Sequence, residues 1–394
     1  MRLRIKNLSP LGKIYAVSII LSIIWVLLFG PIQFSDTPGY LAAYTNNLAH
    51  GRIDTFRTPL YPLLLGLTQK AFGAKLFPWI VLFLQYAVFL ISIKYVYKSA
   101  IKFLPENWSL AVTAFYAIYP TFGPWSNILL TESLELSFSV FLMYACLKLI
   151  YDEDWKYVIG VFVWVFLLLA LRPSSVAFLP ALAFTFFLLL FKKQKRRNAI
   201  LGLVCVIATS IILLGYSSAV EKRTGLFTPS IVSVHNNYWI AGYYGYLDHE
   251  VDLNTTDARE VQELVRESSL KNKKGWIAGL GRRFYDASLM PSLTSYTSQI
   301  LRLHPLYPIN IGMVILLLLV YMILLLPVLP SKLPIGNCFL LVTSGSIILL
   351  SIIGAQYEWN RLILPAQPMI LIIIAQLSVR MKDFILSYSQ DKTI

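Results

Sequence analysis

Charged side chains stand at the ends of apolar runs in this sequence, and their types suit chemistry on a phosphate. Asp36 and Arg57 lie in the segment that follows the first apolar run. Glu132 opens a later run, Arg172 separates two others, and Arg361 precedes the last one. A guanidinium binds two phosphate oxygens at once through its planar fork, and a carboxylate can accept the proton of a reacting hydroxyl.

The apolar runs themselves indicate a membrane protein. The chain is 57% hydrophobic and only 14% charged, with a mean hydropathy of +0.65, whereas soluble domains are about a quarter charged. A helix needs about 20 apolar residues to cross a bilayer core. We find about ten such runs, near residues 12–30, 78–97, 108–122, 128–150, 157–171, 175–191, 199–217, 308–329, 337–355 and 362–379. The sequence therefore predicts an all-α polytopic membrane protein.

The positive charge predicts how the chain is oriented. A net charge of +14 would suggest nucleic acid in a soluble protein, but here the excess lies in clusters beside apolar runs, as at residues 192–197. Such clusters are typical of cytoplasmic flanks. We therefore predict cytoplasmic termini, a bilayer partner and no nucleic acid partner. The long loops 31–77 and 218–307 then face outward.

Three regions follow from this topology. Residues 1–217 form an N-terminal transmembrane module that includes the outer loop 31–77, residues 218–307 form a loop subdomain, and residues 308–394 form C-terminal transmembrane helices. Within the subdomain, residues 254–270 predict a helix with Thr256 as a possible N-cap. The segment 59–73 is apolar but contains prolines, which predicts a helix lying at the membrane interface.

The predicted orientation places five polar clusters on one face of the membrane. They lie in residues 35–40 with 56–62, then in 119–132, 171–174, 228–237 and 356–361. Polar groups concentrate at helix ends because backbone inside hydrocarbon must be satisfied internally. The convergence predicts one outward-facing site.

The same clusters resemble a known family. The segment from Asp36 to Tyr40, followed by Arg57-Thr58-Pro59-Leu60-Tyr61-Pro62, is similar to the first outer loop of the GT-C superfamily of membrane glycosyltransferases. It is most similar to glycosyltransferase family 39, which includes protein O-mannosyltransferases and the lipid A aminoarabinose transferase. Three further segments fit the pattern: Thr131-Glu132-Ser133-Leu134, Leu171-Arg172-Pro173, and Asn360-Arg361 with Pro365. The resemblance covers residues 1–180 and the final helix, and it implies a GT-C-like bundle with outward-facing loops and interfacial helices.

The resemblance also implies a reaction. A sugar would move from a polyprenyl-phosphate donor to a hydroxyl of a glycan, lipid or protein acceptor, on the outer face of a bacterial inner membrane. Asp36 would be the catalytic base, and displacement with one carboxylate would invert the anomeric centre. Arginines would stabilise the leaving phosphate. The expected donor and substrate-binding residues are Arg57, Arg172, Arg361, Glu132, Tyr40, Tyr61 and His235.

One position departs from the family pattern. Several family members have a second acidic residue directly after the first, whereas this chain has Thr37. The sequence also lacks a metal-ligand cluster of standard spacing. We assign no cofactor. The sequence leaves the use of a divalent metal open, but no residues in it support one.

Each candidate residue also fits a structural role. Asp36 suits a helix N-cap because Pro38 follows it, and Arg57 suits a phospholipid headgroup anchor. Arg172 fits a snorkelling loop residue. Arg361 fits an i,i+3 pair with Glu358. The remaining structural readings are an ion pair for Glu132, a loop hydrogen bond for His235, and interfacial aromatic positions for Tyr40 and Tyr61.

Two other functions remain open at this stage. One is a transporter or flippase for lipid-linked glycans, although such proteins place their sites at the membrane midplane, often between internal repeats, and no repeat is visible. The other is a polymerase or ligase of lipid-linked glycans, which would also need outward-facing arginines.

Overall fold

Helices form the framework of the part of the chain that the structure describes. The computed structural model describes residues 8–120, 122–152, 154–253, 255–289, 311–325, 335–354 and 359–391. The helices are α1 (Pro10–Phe29), α2 (Thr37–Asn46), α3 (Leu60–Ala100), α4 (Glu106–Ile118), α5 (Glu132–Tyr151), α6 (Lys156–Leu171), α7 (Phe178–Leu190), α8 (Arg196–Thr224), α9 (Val232–Tyr243), α10 (Ala258–Lys271), α11 (Lys273–Leu289), α12 (Ile311–Leu325), α13 (Ile335–Gly354), α14 (Trp359–Leu362) and α15 (Gln367–Asp391).

Several of these helices have the length and composition of membrane spans. Six in the described ranges qualify: Pro10–Phe29, Leu60–Ala100, Glu132–Tyr151, Pro173–Leu190, Lys193–Thr224 and Ile335–Gly354. Two shorter apolar helices are Lys156–Leu171 and Ile311–Leu324. Each of the ten predicted runs overlaps at least one helix, and the parts at 121, 308–310, 326–329 and 355 lie outside the described residues. The predicted all-α polytopic class is confirmed.

Helix α3 consists of two helical segments. Gly73 separates them with φ 75° and ψ 166°, inside a run that otherwise continues from Leu60 to Ala100. Glycine adopts positive φ without a steric penalty from a side chain, so the chain can change direction here. The break agrees with the predicted division between the segment 59–73 and the span that follows it.

Helix α5 forms the centre of the bundle. Most of its side chains are buried, and it packs against α3 and α6. A turn at residues 123–131 covers its N-terminus and is itself buried. Asn127 joins this turn to the end of α1, because its Nδ2 donates to the Gly30 carbonyl at 2.8 Å and its own carbonyl accepts from the Ile32 N–H at 2.7 Å. The loop that carries Asp36 is thereby held next to Glu132.

The region that the sequence assigns to the loop subdomain, residues 218–307, begins within a helix. Helix α8 continues to Thr224, beyond the predicted end at residue 217, and α9, α10 and α11 follow. The prediction of Thr256 as the N-cap of α10 is wrong. Asp257 takes that place with extended backbone angles, and its carboxylate accepts from the Arg259 N–H at 2.7 Å. The Thr256 N–H instead donates to the Asp252 carbonyl, which closes the preceding turn.

Close packing of α2 on α3 gives a first prediction. A Cβ added at Gly66 would lie 2.0 Å from Cγ of Tyr44, so Gly66→Ala should separate the two helices and destabilise the protein by about 1–3 kcal/mol. Gly345→Ala is the matched control, because an added Cβ there has no heavy atom within 4 Å. Thermal unfolding of detergent-purified protein measures both, and equal melting temperatures would contradict this packing.

Candidate active site

Six charged side chains from distant parts of the chain form one continuous line of ion pairs. Asp36 accepts from Arg57 Nη2 at 2.9 Å and from Arg361 Nη2 at 3.1 Å. Arg361 also donates through Nε to Glu132. Arg172 Nη1 donates to Glu132 at 2.9 Å and to Glu135 at 3.0 Å. We call this alternating series Arg57–Asp36–Arg361–Glu132–Arg172–Glu135 the ion chain.

The ion chain becomes more buried from Asp36 towards Glu132. The Asp36 side chain is 29% exposed and that of Arg57 is 19% exposed, whereas Arg361 is 4% exposed and Glu132 is fully buried. A ligand can therefore reach the Asp36 end, while the Glu132 end is enclosed by protein. Three guanidinium groups balance three carboxylates, which limits the cost of removing these charges from water.

Asp36 stands at the N-cap position of α2 but does not cap it. Its backbone is helical, and its carboxylate makes no capping hydrogen bond, because both oxygens face arginines. Thr37 makes the local contacts instead: its hydroxyl accepts from the Phe34 N–H at 2.9 Å and donates to the Leu129 carbonyl at 3.0 Å. The side chain at the family's second acidic position therefore has a structural role here.

The two arginines set the protonation state of Asp36. Partial burial acts to raise the pKa of this carboxyl, but the positive charges of Arg57 and Arg361 outweigh burial, and the pKa lies below its usual range. Asp36 is therefore ionised at neutral pH.

Arg57 is placed by a turn that the sequence analysis did not single out. The buried Asp54 carboxylate accepts from the N–H groups of Phe56 and Arg57 at 2.9 and 2.6 Å, and from Asn47 Nδ2 at 2.7 Å. The Arg57 guanidinium lies over the Tyr40 ring, 4.6 Å from its centroid. Its Nε is buried and has no hydrogen-bond partner among the described residues.

The predicted aromatic residues support the site from behind. Tyr40 packs edge-on against Tyr61 with ring centroids 5.0 Å apart. The Tyr61 hydroxyl is fully buried and donates to Gln85 Oε1 at 2.9 Å, and Gln85 Nε2 donates to the carbonyls of Ser126 and Ile128. These contacts connect Tyr40, on whose ring Arg57 lies, to the turn before α5.

His235 lies at the edge of the site. Its ring packs against Phe56 with centroids 5.3 Å apart. Partial burial lowers the pKa of the imidazole, so it is neutral at neutral pH. The residues just before His235 hold the turn that carries Arg57. Ser230 Oγ donates to the Phe56 carbonyl at 2.6 Å, and the Ile231 N–H donates to the Thr55 carbonyl at 3.0 Å.

Two supporting carboxylates could have been found from sequence spacing. Glu135 lies three residues after Glu132, and residues at that spacing share a helix face. Asp54 lies three residues before Arg57, the spacing at which an Asp side chain closes a turn on its own backbone. Glu358, the alternative partner of Arg361, lies outside the described residues. Among the described residues, no group of three or more His, Cys, Asp or Glu side chains is placed to hold a metal ion.

The Asp54 turn gives a second prediction. Asp54→Ala leaves two partly buried N–H groups without their acceptor and should destabilise the protein by about 1–3 kcal/mol. Asp54→Asn retains one carbonyl oxygen and should recover part of that loss. Thermal unfolding measures both variants. An alanine variant as stable as wild type would contradict the role of Asp54 in placing Arg57.

A third prediction compares two carboxylates that each face two cations. Glu132 is fully buried, whereas Asp152 faces Lys102 and Lys148 with 28% exposure. Glu132→Gln removes the buried negative charge that Arg361 and Arg172 share, which leaves Arg361 with Asp36 and Arg172 with Glu135, and it should cost about 3–5 kcal/mol. Asp152→Asn should cost about 0–1 kcal/mol, because water screens its partners. Equal losses in thermal unfolding would argue against the burial of the ion chain.

Comparison with known proteins gives one family match. The model of the dolichyl-phosphate-mannose-protein mannosyltransferase family matches residues 56–216. The matched segment contains Arg57, Glu132 and Arg172, while Asp36 and Arg361 lie outside it. A comparison with curated protein sequences gives no match.

Solved structures share the fold at low sequence identity. The Archaeoglobus fulgidus oligosaccharyltransferase AglB, in complex with an inhibitory peptide and a dolichol-phosphate, matches with a TM-score of 0.51 and 14% identity, over 97% of this chain and 52% of that one. The A. fulgidus enzyme tethered to an acceptor peptide by a disulfide gives 0.52 and 13%, over 95% and 50%. Its apo form gives 0.51 and 13%, over 96% and 52%.

This chain thus spans about half the length of the solved structures that it matches. At such low identity the structures show the fold, and the family match and the site motifs are consistent with that fold. The chain is an all-α polytopic membrane protein that is similar to dolichyl-phosphate-mannose-protein mannosyltransferases over residues 56–216 and shares its fold with the archaeal oligosaccharyltransferase.

Proposed function

We propose that this protein transfers a sugar from a polyprenyl-phosphate donor to an acceptor hydroxyl, with Asp36 as the catalytic base. The observation that carries this proposal is the Asp36 carboxylate held between Arg57 and Arg361 at the accessible end of the ion chain. A proton acceptor thereby stands beside two guanidinium groups that suit phosphate. The dolichol-phosphate bound to the archaeal relative supports a lipid phosphate as the donor.

The proposed reaction is a single displacement. The acceptor hydroxyl oxygen forms a bond to the anomeric carbon of the sugar while its proton passes to Asp36. The bond between that carbon and the phosphate oxygen breaks, and its electron pair stays on the phosphate. A phosphate leaving group needs no strong general acid, so the protein must instead stabilise the developing negative charge. Attack opposite the leaving group inverts the anomeric centre.

Arg57 and Arg361 take two successive roles in this mechanism. In the structure their charges lower the pKa of Asp36, which makes the carboxylate a weak base. A donor phosphate would share these guanidinium groups, and it would use the unpartnered Arg57 Nε. Its negative charge would also raise the pKa of Asp36. Donor binding would thus strengthen the base just before the proton transfer.

Arg172 does not contact Asp36 in this proposal and acts through Glu132 and Arg361. It binds both Glu132 and Glu135, and Glu132 in turn holds Arg361. Arg172 is therefore a positioning residue, and the phosphate contacts fall to Arg57 and Arg361.

The protein is expected in a bacterial inner membrane with both termini in the cytoplasm and this site on the outer face. The acceptor is a hydroxyl of a glycan, a lipid or a protein.

A fourth prediction tests this reaction. Membranes containing wild type, Asp36→Asn or Asp152→Asn receive a panel of radiolabelled polyprenyl-phosphate sugars, and transfer to endogenous acceptors is counted. Loss of the base should reduce transfer about 10²–10⁴-fold in Asp36→Asn. Asp152→Asn should match wild type, because that carboxylate belongs to the separate Lys102 and Lys148 cluster. Equal transfer by wild type and Asp36→Asn would remove Asp36 from the mechanism.

The same variants separate an enzyme from a transporter. Proteoliposomes that carry a lipid-linked sugar report movement between leaflets independently of transfer. If wild type and Asp36→Asn both move the sugar and neither transfers it, the protein is a flippase and the proposal fails. Joining of two lipid-linked glycans by wild type would instead indicate the polymerase or ligase reaction.

A further inference from the structure

Helix α11 presents large apolar side chains on its outward face. Ile277 is 62% exposed, Phe284 is 40% exposed and Tyr285 is 64% exposed. Trp276 and Leu289 of the same helix are also exposed, at 40% and 57%. Such a face is unfavourable in water and indicates a surface that another phase or partner covers.

Basic residues accompany these side chains. Lys273, Lys274 and Arg282 are exposed on α11. The one acidic residue of the helix, Asp286, accepts a hydrogen bond from the Tyr244 hydroxyl at 3.1 Å and is half-buried. The outward face therefore combines positive charge with apolar and aromatic side chains.

The adjacent helix α10 provides an internal comparison. Its exposed residues are mostly polar and carry both signs of charge: Arg259, Glu260, Gln262, Glu263, Arg266, Glu267, Leu270 and Lys271. That composition is typical of a surface in water. The two helices belong to the same subdomain, so the composition of α11 reflects different surroundings.

The inward face of α11 places the helix at the rim of the membrane bundle. Arg283 is buried and donates to the Ile353 carbonyl at 2.7 Å, one residue before the end of the membrane-span candidate α13. Ala287 is buried in the main core of the bundle. Gly279 packs against Tyr244 and Tyr246 of the loop subdomain. The helix therefore lies beside the end of a span, which is the level of lipid headgroups.

We infer that α11 lies on the bilayer surface and binds anionic lipid headgroups through its basic residues. Tryptophan and tyrosine favour the membrane–water interface, where the polar part of the ring stays wet while the ring is buried. Lysine and arginine beside an apolar face bind lipid phosphates electrostatically. The loop subdomain would thereby be held against the membrane independently of whether the protein transfers sugar.

Site-directed quenching tests this inference. The buried cysteines Cys146, Cys205 and Cys338 are replaced by alanine, and a fluorophore is attached at Ile277→Cys on α11 or at Glu263→Cys on α10. Each protein is placed in nanodiscs of phosphatidylcholine and phosphatidylglycerol in which one lipid carries a spin-label quencher near its headgroup. We expect position 277 to be quenched, and more strongly by phosphatidylglycerol, while position 263 stays unquenched by either lipid.

Charge variants isolate the headgroup preference. Lys273→Gln with Lys274→Gln should reduce the preference for phosphatidylglycerol at position 277 by about fivefold per residue. Arg259→Gln with Arg266→Gln is the matched control, with the same charge change on α10, and should leave the preference unchanged. Equal quenching at positions 277 and 263 would overturn the placement of α11 on the bilayer. Quenching at 277 without a preference that depends on Lys273 and Lys274 would overturn the anionic headgroup site.

Discussion

The ion chain is the constraint on which the arrangement of the helices around the site depends. Glu132 and Glu135 stand in the first turn of α5, the most enclosed part of the bundle, where an unpaired carboxylate would be strongly unfavourable. Their partners cannot come from α5 itself. Arg172 comes from the end of α6 and Arg361 from α14, so the buried carboxylates require three parts of the chain to meet at one point.

The polar turns around the ion chain complete that junction. Thr37 and Asn127 connect the loop after α1 to the turn before α5, and Gln85 connects the same turn to Tyr61 in α3. Each of these side chains satisfies backbone groups that lie between helices, where no regular structure supplies a partner. The Asp54 turn then presents Arg57 at the open end. The site is therefore enclosed by protein on the side of Glu132 and accessible to a ligand on the side of Asp36 and Arg57.

This gradient of exposure suits the proposed chemistry. The enclosed Glu132 end has fixed geometry because breaking its pairs is costly, whereas Asp36 and Arg57 can exchange partners at the exposed end. In the proposed mechanism the donor phosphate takes over hydrogen bonds that the guanidinium groups make to the Asp36 carboxylate. The guanidinium groups stay paired with an anion throughout, so substrate binding does not require an isolated buried charge. The loop subdomain contributes by clamping the Arg57 turn through Ser230 and Ile231. The proposed contact of α11 with lipid would fix the position of the loop subdomain, and with it Ser230 and Ile231, relative to the membrane.

Much of this architecture was determined by the sequence alone. The apolar runs identify membrane helices because a bilayer imposes one length and one composition on each of them. The positions of Asp36, Arg57, Glu132, Arg172 and Arg361 at the ends of runs predicted that they would meet, and they do. The family resemblance in the Asp36 and Arg57 segments agrees with the fold.

Tertiary structure decided what each residue does there. The sequence allowed Asp36 to be an N-cap, Arg361 to pair with Glu358, and Tyr61 to face a ligand. In the fold, Asp36 faces two arginines, Arg361 pairs with Asp36 and Glu132, and the Tyr61 hydroxyl binds Gln85. These partners are distant along the chain, so local spacing carries no information about them. Sequence spacing can suggest Asp54 and Glu135 as members of the site, but only the fold shows which groups donate to their carboxylates.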